Sequence, residues 1–373
     1  MPNLLFILLL LTCCQAANSQ QTFNINSGGR DRSFIVYRPD VAADKELPVV
    51  FCFHGFTQTG QAMMNYSGFN TLADIYSFLV VYPNGLNFSW NIGQNQPGAS
   101  TADDVRFTLD MIDFLKENFH VDTKKLYATG FSNGGFFSFK LACELSDIIT
   151  AIAPVGATFN PAQYGNCELT RVVPLLQIHG TSDFIVSYNG SQGFTSVNEI
   201  MQFWAEKNRC SSEPVETPLP DKNSSDNSTV TALVYPNCND DIEVVHYRIN
   251  NGGHTWPSST ASGLGNINRD ISSEDIWLFF DKHSILPNAT VKVTDINELY
   301  IYPNPGNGLF KLHGNVPAKN QHLSIYNLYG SKVFDQQLHS GETINLSHLP
   351  NGIYFYQLNT SEAKKLVLTS KAE

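Results

Sequence analysis

The stretch "LYATGFSNGG", residues 126–135, decides the fold of this chain. An apolar, strand-like run leads to Ser132 in the pattern Gly-x-Ser-x-Gly, and "GGFFSFKLACEL" then has the character of a helix. A sharp turn between a strand and a helix exposes the hydroxyl of such a serine, and it needs glycine where backbones come close. The pattern therefore predicts an exposed nucleophile at Ser132, with the amide of Asn133 directed at the place where an oxyanion forms.

Strand and helix signals alternate on both sides of this stretch. Short apolar runs that lead to glycine, as in "LPVVFCFHG", "FLVVYPNG" and "VVPLLQIHG", are typical of buried parallel strands. Helical spacing occurs in "TADDVRFTLDMIDFLKENF" and "TSVNEIMQFWAEKN", where Thr101 with Asp104 and Ser196 with Glu199 form capping-box patterns. The alternation predicts an α/β fold with a mainly parallel sheet and helices on both faces.

A serine nucleophile needs a base and a carboxylate that orients the base. On this type of sheet the chain order is serine, acid, histidine. Asp183 lies in the loop after the strand "LLQIHG", and His254 lies in the glycine-rich loop "NNGGHTWP" after a later strand. We therefore predict that Ser132, Asp183 and His254 form a catalytic triad.

The second oxyanion donor is expected in the loop "FHGFTQTG". The amide of Phe56 or of Thr57 can supply it, and the sequence leaves both open. His54 and His179 each end an apolar strand just before a glycine, and neither has the chain position expected of the base. Both are therefore interpreted as structural.

Residues from about 30 to 285 resemble the secreted esterases grouped as polyhydroxybutyrate-depolymerase-like and as feruloyl or acetylxylan esterases. The matching pieces are "FHGFTQTG", "YPNG", "ADDVRF", "GFSNGG", "HGTSDFIVSYNG" and "GGHTWP". The resemblance implies an α/β-hydrolase fold and ester hydrolysis without a metal or a cofactor. Where that family often has methionine after the paired glycines, this chain has Phe136 and Phe137, which predicts a different pocket beside the nucleophile.

Composition narrows the compartment and the partners. The net charge is -11 and no Lys/Arg-rich tract occurs, so nucleic acid is not an expected partner and neutral substrates fit better. The start, "MPNLLFILLLLTCCQAANSQQ", predicts a secretory signal peptide over residues 1–19, although it lacks the usual basic residue. No other segment is apolar for long enough to form a transmembrane span.

Five of the seven cysteines lie beyond the predicted signal peptide. Export permits disulfides, and we predict Cys210–Cys238, which flank a polar segment, and Cys143–Cys167 as the second pair. Cys52 lies within a predicted central strand and is expected to be a buried free thiol. Because no CxxC pair occurs, no structural metal site is expected.

The character of the chain changes after the helix-like "SEDIWLFFDKH". We assign residues 20–286 to the hydrolase domain, 287–297 to a linker and 298–373 to a small all-β sandwich. The pieces "IYPNPGNG", "IYNLYGSKV", "INLSHLPNGIY" and "KKLVL" resemble the C-terminal sorting domain of the type IX secretion system. That resemblance implies the secretion machinery as a partner, and then either removal of the tail or attachment to the cell surface. A carbohydrate-binding module is the alternative for such a sandwich.

The leading hypothesis is a secreted, monomeric serine esterase that releases feruloyl or acetyl groups from plant cell-wall polysaccharide. Trp90 and Trp256 are candidate walls of its cleft, with simple packing as an equal alternative. A poly(3-hydroxybutyrate) depolymerase is the second hypothesis, because the fold does not fix the acyl group or the polymer. A non-catalytic binding or adhesion protein on a hydrolase scaffold is disfavoured because all three triad members are present. A peptidase is disfavoured because no gating domain is visible.

Overall fold

Ten strands form one sheet at the centre of the first part of the chain. The structure is a computed structural model that describes residues 19–41, 44–93, 99–159, 167–260, 264–285, 300–302, 308–313, 321–327, 330–338, 342–359 and 363–368. Within them, no helix is both long and apolar enough to cross a membrane. The chain divides into two compact units, 1–287 and 288–373. The predicted signal peptide, apart from Ser19, and the predicted linker lie outside the described residues.

The strands of the first unit are β1 (Gln20–Ser27), β2 (Arg30–Tyr37), β3 (Leu47–Phe53), β4 (Leu79–Pro83), β5 (Val121–Phe131), β6 (Ala151–Val155), β7 (Leu175–Gly180), β8 (Val215–Pro218), β9 (Thr229–Tyr235) and β10 (Val244–Asn250). Hydrogen bonds order them β1-β2-β4-β3-β5-β6-β7-β10-β9-β8. The run from β4 to β10 is parallel, whereas the pairs at both margins are antiparallel. The prediction of a mainly parallel sheet is confirmed.

Helices cover both faces of this sheet. They are α1 (Gly60–Ser67), α2 (Phe69–Tyr76), α3 (Asp104–Asn118), α4 (Asn133–Glu144), α5 (Val197–Lys207) and α6 (Ser273–Asp281). Successive side chains of a strand point to opposite faces, so Phe51 packs into the layer of α3, α4 and α5, while Cys52 packs into the layer of α1, α2 and α6. The two layers leave the carboxyl ends of the parallel strands for the loops that carry the predicted triad.

The starts of two helices test the capping patterns. Ser196 and Glu199 form the predicted capping box at the start of α5. The predicted pairing of Thr101 with Asp104 is wrong, because Asp103 caps α3. The carboxylate of Asp104 is instead buried in an ion pair with Arg32, with an N–O distance of 2.7 Å.

The margins of the sheet contain strands that the sequence did not predict. β8 is exposed at all four of its residues, and β1 is exposed or half-buried along most of its length. Strand β9 is largely buried and pairs β8 with β10. β8 and β9 lie in the polar segment between Cys210 and Cys238, for which the sequence predicts no strand.

The second unit is a β-sandwich, as predicted. One antiparallel sheet contains β11 (Tyr300–Tyr302), β12 (Leu309–His313) and β15 (Thr343–Asn345), and the other contains β13 (Gln321–Tyr326), β14 (Lys332–Leu338), β16 (Gly352–Leu358) and β17 (Lys364–Leu368). Buried side chains of both sheets, such as Phe310, Ile344, Ile325 and Leu366, form one apolar cluster. This cluster gives the second unit a core of its own.

Candidate active site

The turn between β5 and α4 holds Ser132 in a strained conformation. Its φ of 52° and ψ of -117° lie in a region that residues with a side chain rarely adopt. The amide of Ser132 donates to the Val155 carbonyl at 2.9 Å, which fixes the turn against β6. A Cβ at Gly134 would overlap the carbonyl oxygen of Phe53, so this position requires glycine. The half-buried Ser132 therefore lies at a sharp strand-to-helix turn, as the sequence pattern predicts.

The structure brings Asp183 and His254 together. The Nδ1 atom of His254 lies 2.7 Å from Oδ2 of Asp183, and both residues are buried. The other carboxylate oxygen accepts hydrogen bonds from the amides of Ile185 and Val186. The His254 ring also packs against Phe131, the residue before Ser132, with the ring centroids 4.7 Å apart. The loops after β5, β7 and β10 thus place the three predicted residues at one edge of the sheet.

A second histidine contacts the same carboxylate. The Nε2 atom of His179 lies 3.3 Å from Oδ2 of Asp183 and 2.8 Å from the Val186 carbonyl oxygen. Because a carbonyl only accepts, Nε2 carries the proton, and Nδ1 is left to accept from Gln177 at 3.3 Å. Burial alone would raise the pKa of Asp183, but hydrogen bonds from His179 and His254 outweigh burial and hold the pKa well below its usual value. The carboxylate of Asp183 is therefore ionised in the folded protein at neutral pH.

The oxyanion loop leaves one of its two candidate amides free. The Thr57 amide donates to the carbonyl of Phe88 at 2.8 Å. It is therefore not free to bind an oxyanion, and Thr57 is excluded as the second donor. Within the described residues, the amides of Phe56 and Asn133 have no acceptor. These two amides are the pair that can receive a developing oxyanion.

Comparison with known protein families identifies the family of this chain. Residues 25–246 match the protein family described as "Putative esterase", which is more than half of the chain. The chain belongs to this esterase family. The bifunctional acetylxylan esterase/xylanase XynS20E of Neocallimastix patriciarum is 27% identical over 258 residues, which are 69% of this chain and 34% of that protein. Feruloyl esterase B of Piromyces equi is 31% identical over 247 residues, which are 60% of this chain and 42% of that protein. The esterase therefore spans less than half the length of either relative.

Two further comparisons concern the fold and the tail. The acetyl xylan esterase from Aspergillus awamori superimposes with a TM-score of 0.49 at 15% identity, covering 70% of this chain and 99% of that chain. Residues 300–369 match the family described as "Secretion system C-terminal sorting domain". The predicted sorting domain is confirmed, and the protein is secreted or attached to the cell surface.

The predicted cleft walls of the esterase are wrong, because both indole rings are fully buried. Trp90 donates from Nε1 to the His54 carbonyl at 2.9 Å, and Trp256 donates from Nε1 to Ser273 Oγ at 2.8 Å. Both tryptophans therefore have a packing role, which was the alternative interpretation. Phe136 and Phe137 are also buried, and the predicted difference in the pocket beside the nucleophile stays a prediction.

Other apolar side chains, which were not among the predicted site residues, are exposed beside the predicted catalytic groups. We call this set the apolar rim, which comprises Phe56, Phe88, Phe184, Ile185 and Leu264. Phe184 and Ile185 directly follow Asp183, and the Leu264 carbonyl accepts the His254 amide at 2.7 Å. Phe184 is 67% exposed and Phe88 is 58% exposed. Phe184 and Ile185 have a signal in the sequence, since they are two large apolar residues directly after the predicted acid Asp183, whereas Phe88 and Leu264 follow no predicted triad residue directly.

The cysteines of the esterase pair as predicted. Cys143 bonds to Cys167 and Cys210 bonds to Cys238, while Cys52 is a buried free thiol whose pKa is raised by burial. Among the described residues, no group of three or more His, Cys, Asp or Glu side chains is arranged to hold a metal ion.

Proposed function

We propose that the protein is a serine ester hydrolase that releases acyl groups from plant cell-wall polysaccharide. The observation that carries the proposal is the 2.7 Å contact between His254 Nδ1 and Asp183 at the edge where Ser132 is held in a strained turn. A carboxylate on Nδ1 fixes the proton of the neutral ring on that atom. The Nε2 lone pair is then available to take a proton from a serine.

The reaction follows from these positions. Ser132 Oγ attacks the ester carbonyl carbon while His254 Nε2 takes its proton, and the carbonyl oxygen becomes an oxyanion facing the amides of Phe56 and Asn133. The bond to the alcohol then breaks, and His254 returns the proton to the leaving oxygen. Water then attacks the acyl carbon while His254 takes one of its protons. When the bond from the acyl carbon to Ser132 Oγ breaks, His254 returns that proton to Oγ and the acid leaves. Asp183 stays ionised throughout and stabilises the imidazolium.

The apolar rim favours an aromatic acyl group, such as feruloyl, over acetyl. An acetyl methyl has little surface to cover several large exposed side chains, whereas a phenyl ring can be buried against them. The net charge of -11 also suits a neutral ester better than an anionic one. The apolar rim also fits the depolymerase hypothesis. In that case the site must bind a longer stretch of the polyester chain.

Three substrates separate these alternatives. We expect turnover of methyl ferulate to exceed that of p-nitrophenyl acetate and of a 3-hydroxybutyrate oligomer when kcat/KM values are compared. Ser132→Ala should abolish all three activities, whereas Ser225→Ala, a change at an exposed serine, should leave them intact. Dominant turnover of the oligomer would favour the depolymerase, and no turnover of any ester by the folded protein would favour the binding protein. Light scattering tests the proposed monomer separately.

A further inference from the structure

We infer that Trp90 is a positioning residue that holds both amides of the oxyanion hole in one geometry. The inference rests on the proposed ester hydrolysis. It gives a role to a buried side chain that touches neither the substrate nor the triad. The amides concerned belong to Phe56 and Asn133, which lie on different loops and have to converge on a single oxygen atom.

The first link joins Trp90 to the turn that carries the nucleophile. The main-chain N–H of Trp90 donates to Asn133 Oδ1 at 2.6 Å, and Asn133 Nδ2 lies 3.4 Å from the Trp90 carbonyl oxygen. The side chain of Asn133 is thus held at both ends by one residue. Because its own main-chain amide is an oxyanion donor, this pairing fixes the orientation of that donor.

The second link joins Trp90 to the other loop. Its indole Nε1–H donates to the His54 carbonyl at 2.9 Å. The His54 ring accepts the Gly85 amide at Nε2, 2.9 Å away, so its proton lies on Nδ1 and is donated to the Gly55 carbonyl at 2.8 Å. Burial lowers the pKa of His54 to about 4, which keeps the ring in this neutral form at pH 7. The next amide along the chain is that of Phe56.

The position of Trp90 itself is rigid. Its ring stacks on Phe137 at 5.2 Å with an interplanar angle of 13° and meets Phe53 edge-on at 5.1 Å. The next residue, Asn91, donates its amide to the buried carboxylate of Asp104 at 2.8 Å. The ring has one polar link, through its indole N–H, and the main chain of the same residue holds Asn133, so a fixed ring can transmit its position to both loops.

Such positioning matters because oxyanion donors stabilise the transition state only when they already point at the oxyanion position before the reaction begins. Removing one donor in a related type of site lowers kcat by about 10²–10³. A shift of both loops by a fraction of an ångström weakens both donors in the transition state, while it hardly changes binding of the neutral ester. The expected signature is therefore a loss in kcat without a rise in KM.

A matched pair of substitutions tests the inference. Trp90→Phe keeps an aromatic ring and removes the indole N–H from the His54 carbonyl. Trp204→Phe makes the same chemical change at another fully buried tryptophan, whose Nε1 donates to the Val173 carbonyl at 3.1 Å. Both variants should lose thermal stability. Only Trp90→Phe should lower kcat on methyl ferulate, by about tenfold or more, with KM within about twofold.

Inhibition by a trifluoromethyl ketone supplies the second measurement, because its hemiketal oxyanion binds in the hole. Its affinity should fall in Trp90→Phe by the same factor as kcat, with the pH profile unchanged. Equal kcat losses in the two tryptophan variants, or full kcat in Trp90→Phe, would overturn the inference. If Trp90→Phe does not fold, Asn133→Ala keeps the main-chain amide and removes the first link, and full kcat there overturns it equally. Activity that survives in Ser132→Ala would instead refute the proposed function.

Discussion

Replacement of Asp183 by asparagine is a demanding test of the site, because every group that faces this carboxylate is a hydrogen-bond donor. One oxygen accepts the amides of Ile185 and Val186, and the other faces Nδ1 of His254 and Nε2 of His179. Asparagine has the same shape but only one accepting oxygen. Its NH₂ group must therefore face one of the two pairs of donors.

The two orientations differ in free energy. An NH₂ group turned toward the backbone amides would leave the buried N–H of Val186 unpaired, at a cost of about 1–3 kcal/mol, together with the partly buried N–H of Ile185. The amide oxygen of the variant should therefore keep those contacts, and its NH₂ group should face His254. Nδ1 of His254 must then accept, which moves the ring proton to Nε2, the atom that has to act as base. Loss of the correct tautomer lowers kcat by about 10⁴, or about 5 kcal/mol in the activation barrier.

The assay is steady-state turnover of p-nitrophenyl acetate by purified Asp183→Asn, with thermal unfolding measured in parallel. Asp270→Asn is a matched control, because Asp270 is also buried and, within the described part of the chain, its carboxylate accepts from N–H donors alone, those of Lys222, Asn223 and Asn268. The control should lose stability and keep kcat. A kcat of Asp183→Asn within tenfold of the unaltered protein would refute the reasoning from tautomers.

Two further outcomes are expected. Phe88→Ala and Phe184→Ala should each raise KM for methyl ferulate about tenfold, because an aromatic contact contributes about 1.5 kcal/mol, and should leave p-nitrophenyl acetate turnover unchanged. Ile75→Ala, a change at an apolar residue exposed on α2, is the control, and an equal effect there would argue against the apolar rim. A chain that ends at Thr294 should fold and keep full kcat on a soluble ester, yet remain in the periplasm of its native host. Loss of activity would assign the tail to the catalytic unit, and normal export would contradict its sorting role.

The contact between Asp183 and His254 agrees with the expected chain order of serine, acid and histidine, and the triad as a whole stays a prediction. Ser132, Asp183 and His254 each follow a strand of a mainly parallel sheet, and the topology of such a sheet collects these loops at one edge. The local pattern of glycines and apolar runs was enough to locate them. Their contacts, such as the approach of His179 to Asp183, depend on side-chain directions that the pattern does not contain.

The errors have a common physical origin in tertiary contacts. Trp90 lies in a long polar loop, and its burial is decided by partners distant in sequence, Asn133 and His54. The Thr57 amide is excluded as an oxyanion donor because it donates to the Phe88 carbonyl, and no local sequence pattern indicates this contact. Strand β8 escaped prediction because all four of its side chains are exposed, and a sheet margin with no buried face has no alternating pattern.

The Cys143–Cys167 disulfide has a consequence for where the chain completes its folding. Cys143 lies near the end of α4, the helix that starts immediately after Ser132, and Cys167 lies in the segment that leads to β7, the strand that precedes Asp183. In a reducing cytosol this bond does not persist, so the supports of nucleophile and acid become covalently joined only in an oxidising compartment. The tail contains none of the seven cysteines. Both disulfides lie in the first unit, so oxidation after export adds covalent links to the part of the chain that carries the predicted triad.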